Sequence, residues 1–214
     1  MLADNSNKQC ILLSSSYQFI TSHTLTGDPW NICVLDNQGM AVSYNQNAIQ
    51  ILSVVGGIIR PVRTITTKYS YNGIAAARKG KMVVHGDCGN DKSQWSLINT
   101  RGDVNYTHQY DSPYNLNYSY TCTHQYDSVD YNGYLALNNI KTRVYVSVHK
   151  MHSLLCFDMD GRTQFTYSHG NLRGPCGVDV DRYDNIFALG YWSHNIHQLS
   201  SNGSVLQVIT SRVP

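Results

Sequence analysis

The chain has 214 residues, with sixteen basic and fourteen acidic side chains and a formal net charge of +2. Charged residues make up only 14% of the chain, against about a quarter in an average globular protein, so the chain has neither a polybasic nucleic-acid arm nor an acidic tail. All fourteen acids are Asp, and Asp, Asn, Ser, Gly and Tyr favour turns and strands over helices. The composition therefore predicts an all-β protein.

Two further features of the composition bear on location. No stretch reaches the roughly 18 apolar residues of a membrane-spanning helix, and the first residues lack the charged-then-apolar pattern of a secretory signal. The six cysteines show no C-x-x-C spacing, and the chain is longer than a disulfide-framework domain. We therefore expect reduced thiols, a cytoplasmic location and no membrane partner.

Along the chain, four segments share one layout of strands and turns. Each segment has a short apolar run, a polar turn, a second and a third strand, a Gly-containing turn and a fourth strand. The first strands are predicted at residues 30–34, 72–76, 132–136 and 176–180. Asn31 and Gly73 are 42 residues apart, and Gly133 and Gly177 are 44 residues apart. A four-stranded repeat of this period is typical of a β-propeller blade.

The interval from Gly73 to Gly133 is 60 residues, and an internal repeat accounts for the excess. The hexapeptide T-H-Q-Y-D-S occurs at residues 107–112 and again at 123–128, which indicates a local tandem duplication. Residues 1–25 supply only the outer strands of a blade. We therefore predict one incomplete propeller over residues 1–214. Its segments are a partial blade at 1–25, blades at 26–67 and 68–111, a duplicated insertion at 112–128, and blades at 129–170 and 171–214.

The last repeat carries the most specific pattern. It reads G-P-C-G-V-D-V-D from Gly174, D-N-I-F-A-L-G from Asp184 and S-H-N-I-H-Q-L from Ser193. This pattern resembles an NHL repeat. Nearly the whole chain is similar to the C-terminal NHL-type β-propeller of tripartite-motif (TRIM) proteins, particularly the expanded invertebrate group. The earlier repeats depart from the pattern, since residues 33–36 and 75–77 lack its Val-Asp pair.

The resemblance implies a six-bladed propeller that serves as a rigid interaction platform, usually behind a RING finger, a B-box and a coiled coil in a ubiquitin ligase. The closely spaced Cys and His residues that bind zinc in a RING finger do not occur in this sequence. The resemblance therefore implies a protein-binding module that selects the ligase substrate, with no catalytic residue, metal or cofactor of its own. Whether a ligase module precedes Met1 is left open.

The candidate partner-binding residues belong to the last two repeats. Trp192 and Tyr191 fall in a predicted turn, on the face that the family uses for binding, and aromatic residues are favoured at interaction hot spots. His152 and His194 hold equivalent places in adjacent repeats, and Lys150 lies on the same face. We predict these five residues as the binding site, while most other aromatic residues fill the space between blades.

Two H-x-x-H pairs are candidate metal ligands, His149 with His152 and His194 with His197. Two imidazoles at this spacing can share a metal when they lie on one helical face, but each pair spans a strand end and a hairpin turn. Neither motif contains a carboxylate. We interpret these histidines as solvated loop residues.

An enzymatic propeller is one alternative. A six-bladed hydrolase or lyase would place carboxylates and histidines around a central channel with a metal ion. The candidates for channel positions are Asp28, Asp111, Asp127 and Asp130, which also suit connecting turns. The absence of Glu removes the commonest bidentate calcium ligand, so this alternative ranks below protein binding.

Binding of single-stranded RNA is the other alternative, because some NHL propellers bind it through basic and aromatic side chains. The basic residues expected on the binding face are balanced by acidic ones, which leaves this face nearly neutral. The basic residues are Lys68, Lys92, Lys150 and Arg173, and the acidic residues are Asp28, Asp87 and Asp91. Attraction to phosphate is then weak, so RNA is a disfavoured partner and DNA is not expected.

Overall fold

The computed structural model describes residues 1–35, 39–44, 46–89, 92–111 and 134–210. Within these ranges the regular elements are nineteen β-strands and one short 3-10 helix, His149–Met151. The prediction of an all-β protein is therefore confirmed. No helix in the described part of the chain is long and apolar enough to cross a membrane.

The chain forms two compact units. The first comprises Met1–Cys88 and Gln94–Gln109, and the second comprises Gly89–Ser93 and Tyr110–Pro214. The strands of the first three sheets are β1 (Leu2–Asp4), β2 (Gln9–Leu13), β3 (Phe19–Thr24), β4 (Pro29–Val34), β5 (Gly39–Tyr44), β6 (Ala48–Val55), β7 (Ile58–Thr66), β8 (Gly73–Ala76), β9 (Lys81–Gly89), β10 (Lys92–Asn99) and β11 (Val104–Asp111). The strands of the last two sheets are β12 (Leu135–Leu137), β13 (Arg143–Val148), β14 (Ser153–Asp158), β15 (Thr163–Ser168), β16 (Pro175–Val180), β17 (Ile186–Gly190), β18 (Asn195–Leu199) and β19 (Val205–Thr210).

Every sheet is a simple meander, because each strand pairs with its neighbour in sequence. The described strands form one three-stranded sheet, β1-β2-β3, and four four-stranded sheets, β4 to β7, β8 to β11, β12 to β15 and β16 to β19. The pairings are antiparallel throughout the last two sheets. The predicted layout of four strands, and the incomplete first sheet, are present in the structure.

In the first unit, the two faces of the β4–β7 sheet contribute to two different cores. Met40, Val42 and Tyr44 of β5 belong to a cluster with Cys10 of β2. Ala41, the residue between them, belongs to a second cluster with Ile74, Met82 and Val84 of the next sheet. This alternation follows from the two-residue period of a strand. The sheet is therefore covered on both faces.

In the second unit, the β12–β15 sheet packs against the β16–β19 sheet. Tyr145, Leu154 and Cys156 from the first of these sheets share a cluster with Ile186 and Leu199 from the second. All of these side chains are buried. This packing positions the turns that precede β14, β16 and β18, where the candidate site lies.

The tight turns are closed by short polar side chains. In four of them, one side-chain oxygen of the first turn residue accepts two backbone N–H groups from later turn residues, at 2.7–3.0 Å. These first residues are Asn99, Asn138, Asp158 and Asp181. The side chains of Asp and Asn are short enough to reach back to their own turn, whereas that of Glu is longer. Asp and Asn therefore suit these first turn positions better than Glu.

The turns also repeat in backbone conformation. The residue before the third strand is left-handed in three of the four-stranded sheets, at Asn47, His152 and His194, and Lys8 before β2 of the first sheet has the same conformation, with φ of 50–52° in all four. The predicted equivalence of His152 and His194 is therefore confirmed by the geometry. The Gly-containing turns before the fourth strand have positive φ at Gly56, Gly57, Gly102, Gly161 and Gly203.

Some expectations fall outside this description. The proposed duplicated insertion at 112–128 lies among residues 112–133, which are outside the described residues. Of the described cysteines, Cys10, Cys156 and Cys176 are free thiols, whereas Cys122 is outside the described ranges. Burial raises the pKa of Cys10 to about 11 and that of Cys156 to about 12.

Replacing Gly203 by Ala tests the requirement for glycine in these turns. Gly203 has φ of +87°, and an added Cβ would lie 2.8 Å from the ring of Phe165. We expect the left-handed backbone alone to cost about 1–2 kcal/mol of unfolding free energy, with a further loss from the ring contact. Urea denaturation measures this loss. Gly170→Ala, where nothing lies within 4 Å of the added Cβ, is the control, and an equal loss in both variants would refute the explanation.

Candidate functional site

The loop between β17 and β18, residues Tyr191–His194, is called here the aromatic loop. Its two aromatic side chains are about half exposed, with 51% of Tyr191 and 47% of Trp192 accessible to solvent. His194 is exposed and adopts the left-handed conformation that returns the chain to β18. The prediction that Tyr191 and Trp192 lie in an exposed turn agrees with this geometry.

The aromatic loop is held against the segment that leads into β16. The N–H groups of Tyr191 and Trp192 donate to the carbonyl oxygens of Gly174 and Arg173, each at 3.1 Å. In return, the Arg173 N–H donates to Ser193 Oγ at 3.0 Å, and the Ser193 hydroxyl donates to Asn195 Oδ1 at 2.7 Å. These bonds fix the backbone beneath the exposed rings. Binding of a partner to Tyr191 and Trp192 would therefore cost little conformational entropy of the loop.

Two histidines pack against the ring of Trp192. His149 lies edge-on at a centroid distance of 4.4 Å, and His152 lies edge-on at 5.5 Å. Both come from the turn between β13 and β14, where Lys150 lies in the 3-10 helix beside them. The three rings thus form one aromatic cluster, and Lys150 follows His149 in the adjoining 3-10 helix.

Gly174 makes this cluster possible. It has a left-handed φ of +54°, and an added Cβ would lie 2.8 Å from His149 Nε2 and 2.9 Å from Trp192 Cδ2. Its N–H also donates to His152 Nδ1 at 3.0 Å. A residue with a side chain would separate the rings, so glycine is required here for close approach as well as for its conformation.

A second pair of histidines lies behind the cluster. His197 is completely buried on β18, and its Nδ1 shares a hydrogen bond of 2.7 Å with the hydroxyl of Tyr167. His169 is exposed, and its ring lies 5.2 Å from that of His197. Its Nδ1 accepts the N–H of Asn171 at 3.2 Å. The turn after β15 therefore adds His169 to the histidines contributed by the β13–β14 and β17–β18 turns.

These elements enclose a cavity of about 380 Å³, called here the histidine cavity. Its polar lining consists of His152, Ser168, His169 and Arg173. Its apolar lining comes from Met151, Leu172 and Trp192, with Gly170 at the rim. A volume of this size is within the range of small-molecule and side-chain pockets. The cavity is therefore large enough for a side chain or a small ligand.

Burial controls the protonation of two of these histidines. Burial lowers the pKa of His152 below its ordinary value, and the Arg173 charge adds to the effect. Burial likewise lowers the pKa of His197, with a smaller contribution from His169. Both imidazoles are consequently neutral at pH 7, and Arg173 supplies the permanent positive charge of the cavity.

A second cavity, of about 460 Å³, lies on the other side of the aromatic loop. Tyr191 and His194 line it together with apolar residues of the last sheet, among them Leu189, Ile196 and Ile209. The five predicted binding residues are therefore divided. Trp192 and His152 face the histidine cavity, Tyr191 and His194 face the apolar one, and Lys150 lies in the 3-10 helix.

The interpretation of both H-x-x-H pairs as solvated loop residues is wrong for two of the four histidines. His149 and His197 are buried, because His149 packs against Trp192 and His197 points inward from β18, as do Asn195 and Leu199. Sequence reasoning also missed His169, which reaches the site only through the packing of two sheets. No group of three potential metal ligands occurs among the described residues.

The channel positions considered for an enzyme are largely untested. Asp28 forms a salt bridge of 2.9 Å with Lys8, as expected for a residue in a connecting turn. Asp127 and Asp130 lie outside the described residues, as does the side chain of Asp111.

Comparison with known proteins finds similarity in structure alone. No family model matches the sequence, and no curated protein matches it. Virginiamycin B lyase from Staphylococcus aureus is similar, with a TM-score of 0.68 and 12% identity over 98% of this chain and 65% of the lyase. A luciferin-regenerating enzyme has a TM-score of 0.66 and 16% identity over 97% of this chain and 70% of the enzyme. A chain of a nidogen/laminin complex has a TM-score of 0.61 and 12% identity over 97% of this chain and 77% of that chain.

These likenesses show the fold, which is a β-propeller whose five described sheets are its blades. The chain spans less than two thirds of the length of the lyase. The NHL type and the six-bladed form remain predictions from the sequence resemblance.

Removing the hydroxyl of Tyr167 tests the buried pair behind the cavity. Tyr167→Phe leaves Nδ1 of the buried His197 without its partner, so we expect a loss of about 1–3 kcal/mol in unfolding free energy. Urea denaturation at pH 7.5 measures the loss. Tyr183→Phe, at an exposed turn, should change stability by less than about 0.5 kcal/mol.

The stability should also depend on pH through His197. Its folded pKa is depressed below the ordinary value of 6.5, so the unfolded chain binds a proton first as the pH falls. Stability is therefore full above pH 6.5 and declines below it. Denaturation midpoints between pH 7.5 and 5 measure the decline, which should be smaller in His197→Gln. The control is His194→Gln at an exposed position, and a wild-type slope in both variants would contradict this assignment.

Proposed function

We propose that the chain is a non-catalytic protein-binding module and that the aromatic loop is its main contact surface. The observation that carries the proposal is the backbone anchoring of two half-exposed aromatic side chains, Tyr191 and Trp192. Rigid Tyr and Trp side chains are the typical anchors of interaction hot spots. In this proposal, His152, His194 and Lys150 supply the polar rim.

The second cavity extends this surface. Leu189, Ile196 and Ile209 add apolar area beside Tyr191. Contiguous apolar surface around an aromatic anchor favours a protein partner over a purely polar ligand. The sequence resemblance to tripartite-motif propellers supports a finer proposal, in which the partner is a ubiquitination substrate or adaptor and the chain is the recognition part of a ligase. The free thiols of Cys10, Cys156 and Cys176 are compatible with the proposed cytoplasmic location.

A lyase-like activity is the second candidate. It is favoured by the fold likeness to virginiamycin B lyase and by the histidines in the cavity. However, His152 and His169 each accept a backbone N–H at Nδ1, so the proton of each neutral ring is on Nε2. Neither ring then offers the cavity a lone pair for proton abstraction at that nitrogen. Binding is therefore favoured over catalysis.

Selection from a displayed random-peptide library tests the proposal. We expect the wild-type protein to enrich a sequence motif, and the double variant Tyr191→Ala with Trp192→Ala to lose at least tenfold in affinity for the enriched peptides because its anchors are gone. Tyr183→Ala removes an exposed aromatic from a different turn and should bind normally. Circular dichroism confirms that each variant is folded.

Two outcomes would contradict the proposal. Turnover of virginiamycin B, followed by mass spectrometry, would support the lyase candidate. Tight binding of a fluorescent oligouridine at physiological salt, lost in the double variant, would support RNA as the partner.

A further inference from the structure

We propose that the histidine cavity binds a single anionic group, a carboxylate or a phosphate, carried on an apolar or aromatic body, and that this group is the acidic anchor of a peptide partner. The inference deepens the proposed protein-binding function and rests on it. It concerns the chemistry that the cavity selects, which the aromatic loop alone does not determine.

Three of the polar side chains that line the cavity carry hydrogen-bond donors. Nδ1 of His169 accepts the Asn171 N–H at 3.2 Å, so this nitrogen carries no proton and Nε2 does. His152 is fixed in the same tautomer by the Gly174 N–H. The guanidinium of Arg173 adds five N–H donors and a positive charge. Three side chains from two connections, the β13–β14 turn and the β15–β16 turn, thus bring donors to one cavity.

In the described part of the chain, the carboxylates lie outside the lining of this cavity. None of the described residues that line the cavity is an Asp, and the chain contains no Glu. In the neighbouring sheet, Asp158 lies at the far end of β14 from Ser153, about 16 Å away along the strand. In the last sheet, Asp184 accepts hydrogen bonds from Asn139 at the opposite end of β17. Among the residues that the structure describes, no carboxylate lines the cavity beside a bound anion.

The other wall of the cavity is apolar and rigid. Trp192 is fixed by the edge-on contacts of His149 and His152 and by the anchored backbone of the aromatic loop. Leu172, which is fully buried, and Met151 complete this wall. A ligand with an anionic end and an aromatic or aliphatic body satisfies both halves of the cavity, whereas an inorganic ion satisfies only one.

The charge distribution favours one anionic group over a polyanion. Arg173 is the only permanently charged residue among the described lining residues, and Lys150 lies one residue from the lining residue Met151. Two cations do not form the extended basic groove that follows a nucleic-acid backbone. A peptide with one acidic or phosphorylated side chain beside an apolar residue fits this distribution better than RNA.

Titration with small probes tests the inference directly. The probes are phenyl phosphate and phenylacetate as anions, benzyl alcohol as a neutral analogue and benzylamine as a cation. Histidine side-chain signals of the ¹⁵N-labelled protein report the binding. We expect both anions to shift the Nε2 signal of His169, with an affinity at least tenfold higher than that of benzyl alcohol, and benzylamine to cause no shift.

Variants identify the residue responsible. Arg173→Gln should lower the affinity for both anions at least tenfold. Arg173→Lys should retain part of the affinity, because it keeps the charge but loses the planar donor geometry. The matched control is Arg182→Gln. Arg182 is an exposed arginine of the same unit that contacts its neighbour Tyr183, and its replacement should leave the affinity unchanged. Amide spectra of each variant establish that it is folded.

Four results would overturn the inference. They are equal affinity for phenyl phosphate and benzyl alcohol, unchanged anion affinity in folded Arg173→Gln, an enriched peptide motif without an acidic residue, and stronger binding of oligouridine than of acidic peptides. A motif without an acidic residue refutes only this inference and leaves the proposed function standing. Failure of the library to enrich any peptide contradicts the proposed function, even if phenyl phosphate binds. Comparison of phosphorylated with Asp-containing versions of an enriched peptide separates the two sources of the anion.

Discussion

The structure depends on the closure of its tight turns. Each meander reverses direction within a few residues, and the N–H groups exposed by the reversal need acceptors close at hand. Asn99, Asn138, Asp158 and Asp181 supply them from within the same turn. With the turns fixed in this way, the strands alternate inward and outward residues, and neighbouring sheets bury a common core. The candidate site is a product of this arrangement, because all of its polar residues lie in or next to turns.

The sequence predicts the strands and turns well because their signals are local. Three signals are visible within a few positions of the sequence: apolar alternation, Gly in the turn between the third and fourth strands, and Asp or Asn as the first residue of a turn. The structure places strands where those signals occur. The exposure of Tyr191 and Trp192 follows from the same reasoning, since they fall between two short strands. Local patterns therefore account for the fold of each sheet and for the position of the aromatic loop.

The sequence could not predict which residues meet across two sheets. His169 approaches His197 because β15 and β18 belong to different sheets that pack together, and no local signal encodes that contact. His197 was misinterpreted because its position in an H-x-x-H motif suggested a loop, although the alternation along β18 places it inside. Gly174 does carry a sequence signal, since it begins the repeat with the most specific pattern. Its role in the close packing of the three rings is visible only in the structure.

The self-contained turns have an evolutionary consequence. The four turns that Asn99, Asn138, Asp158 and Asp181 close do not rely on their neighbours for these bonds, so substitutions at other turns, such as those of His152 and His194, leave them intact. The equivalent positions are occupied by Lys8 and Asn47 elsewhere in the chain, which shows that one backbone shape accepts different chemistries. Recognition surfaces on such a scaffold can diversify one hairpin at a time, while selection on foldability acts on the strands and on the residues that close the turns.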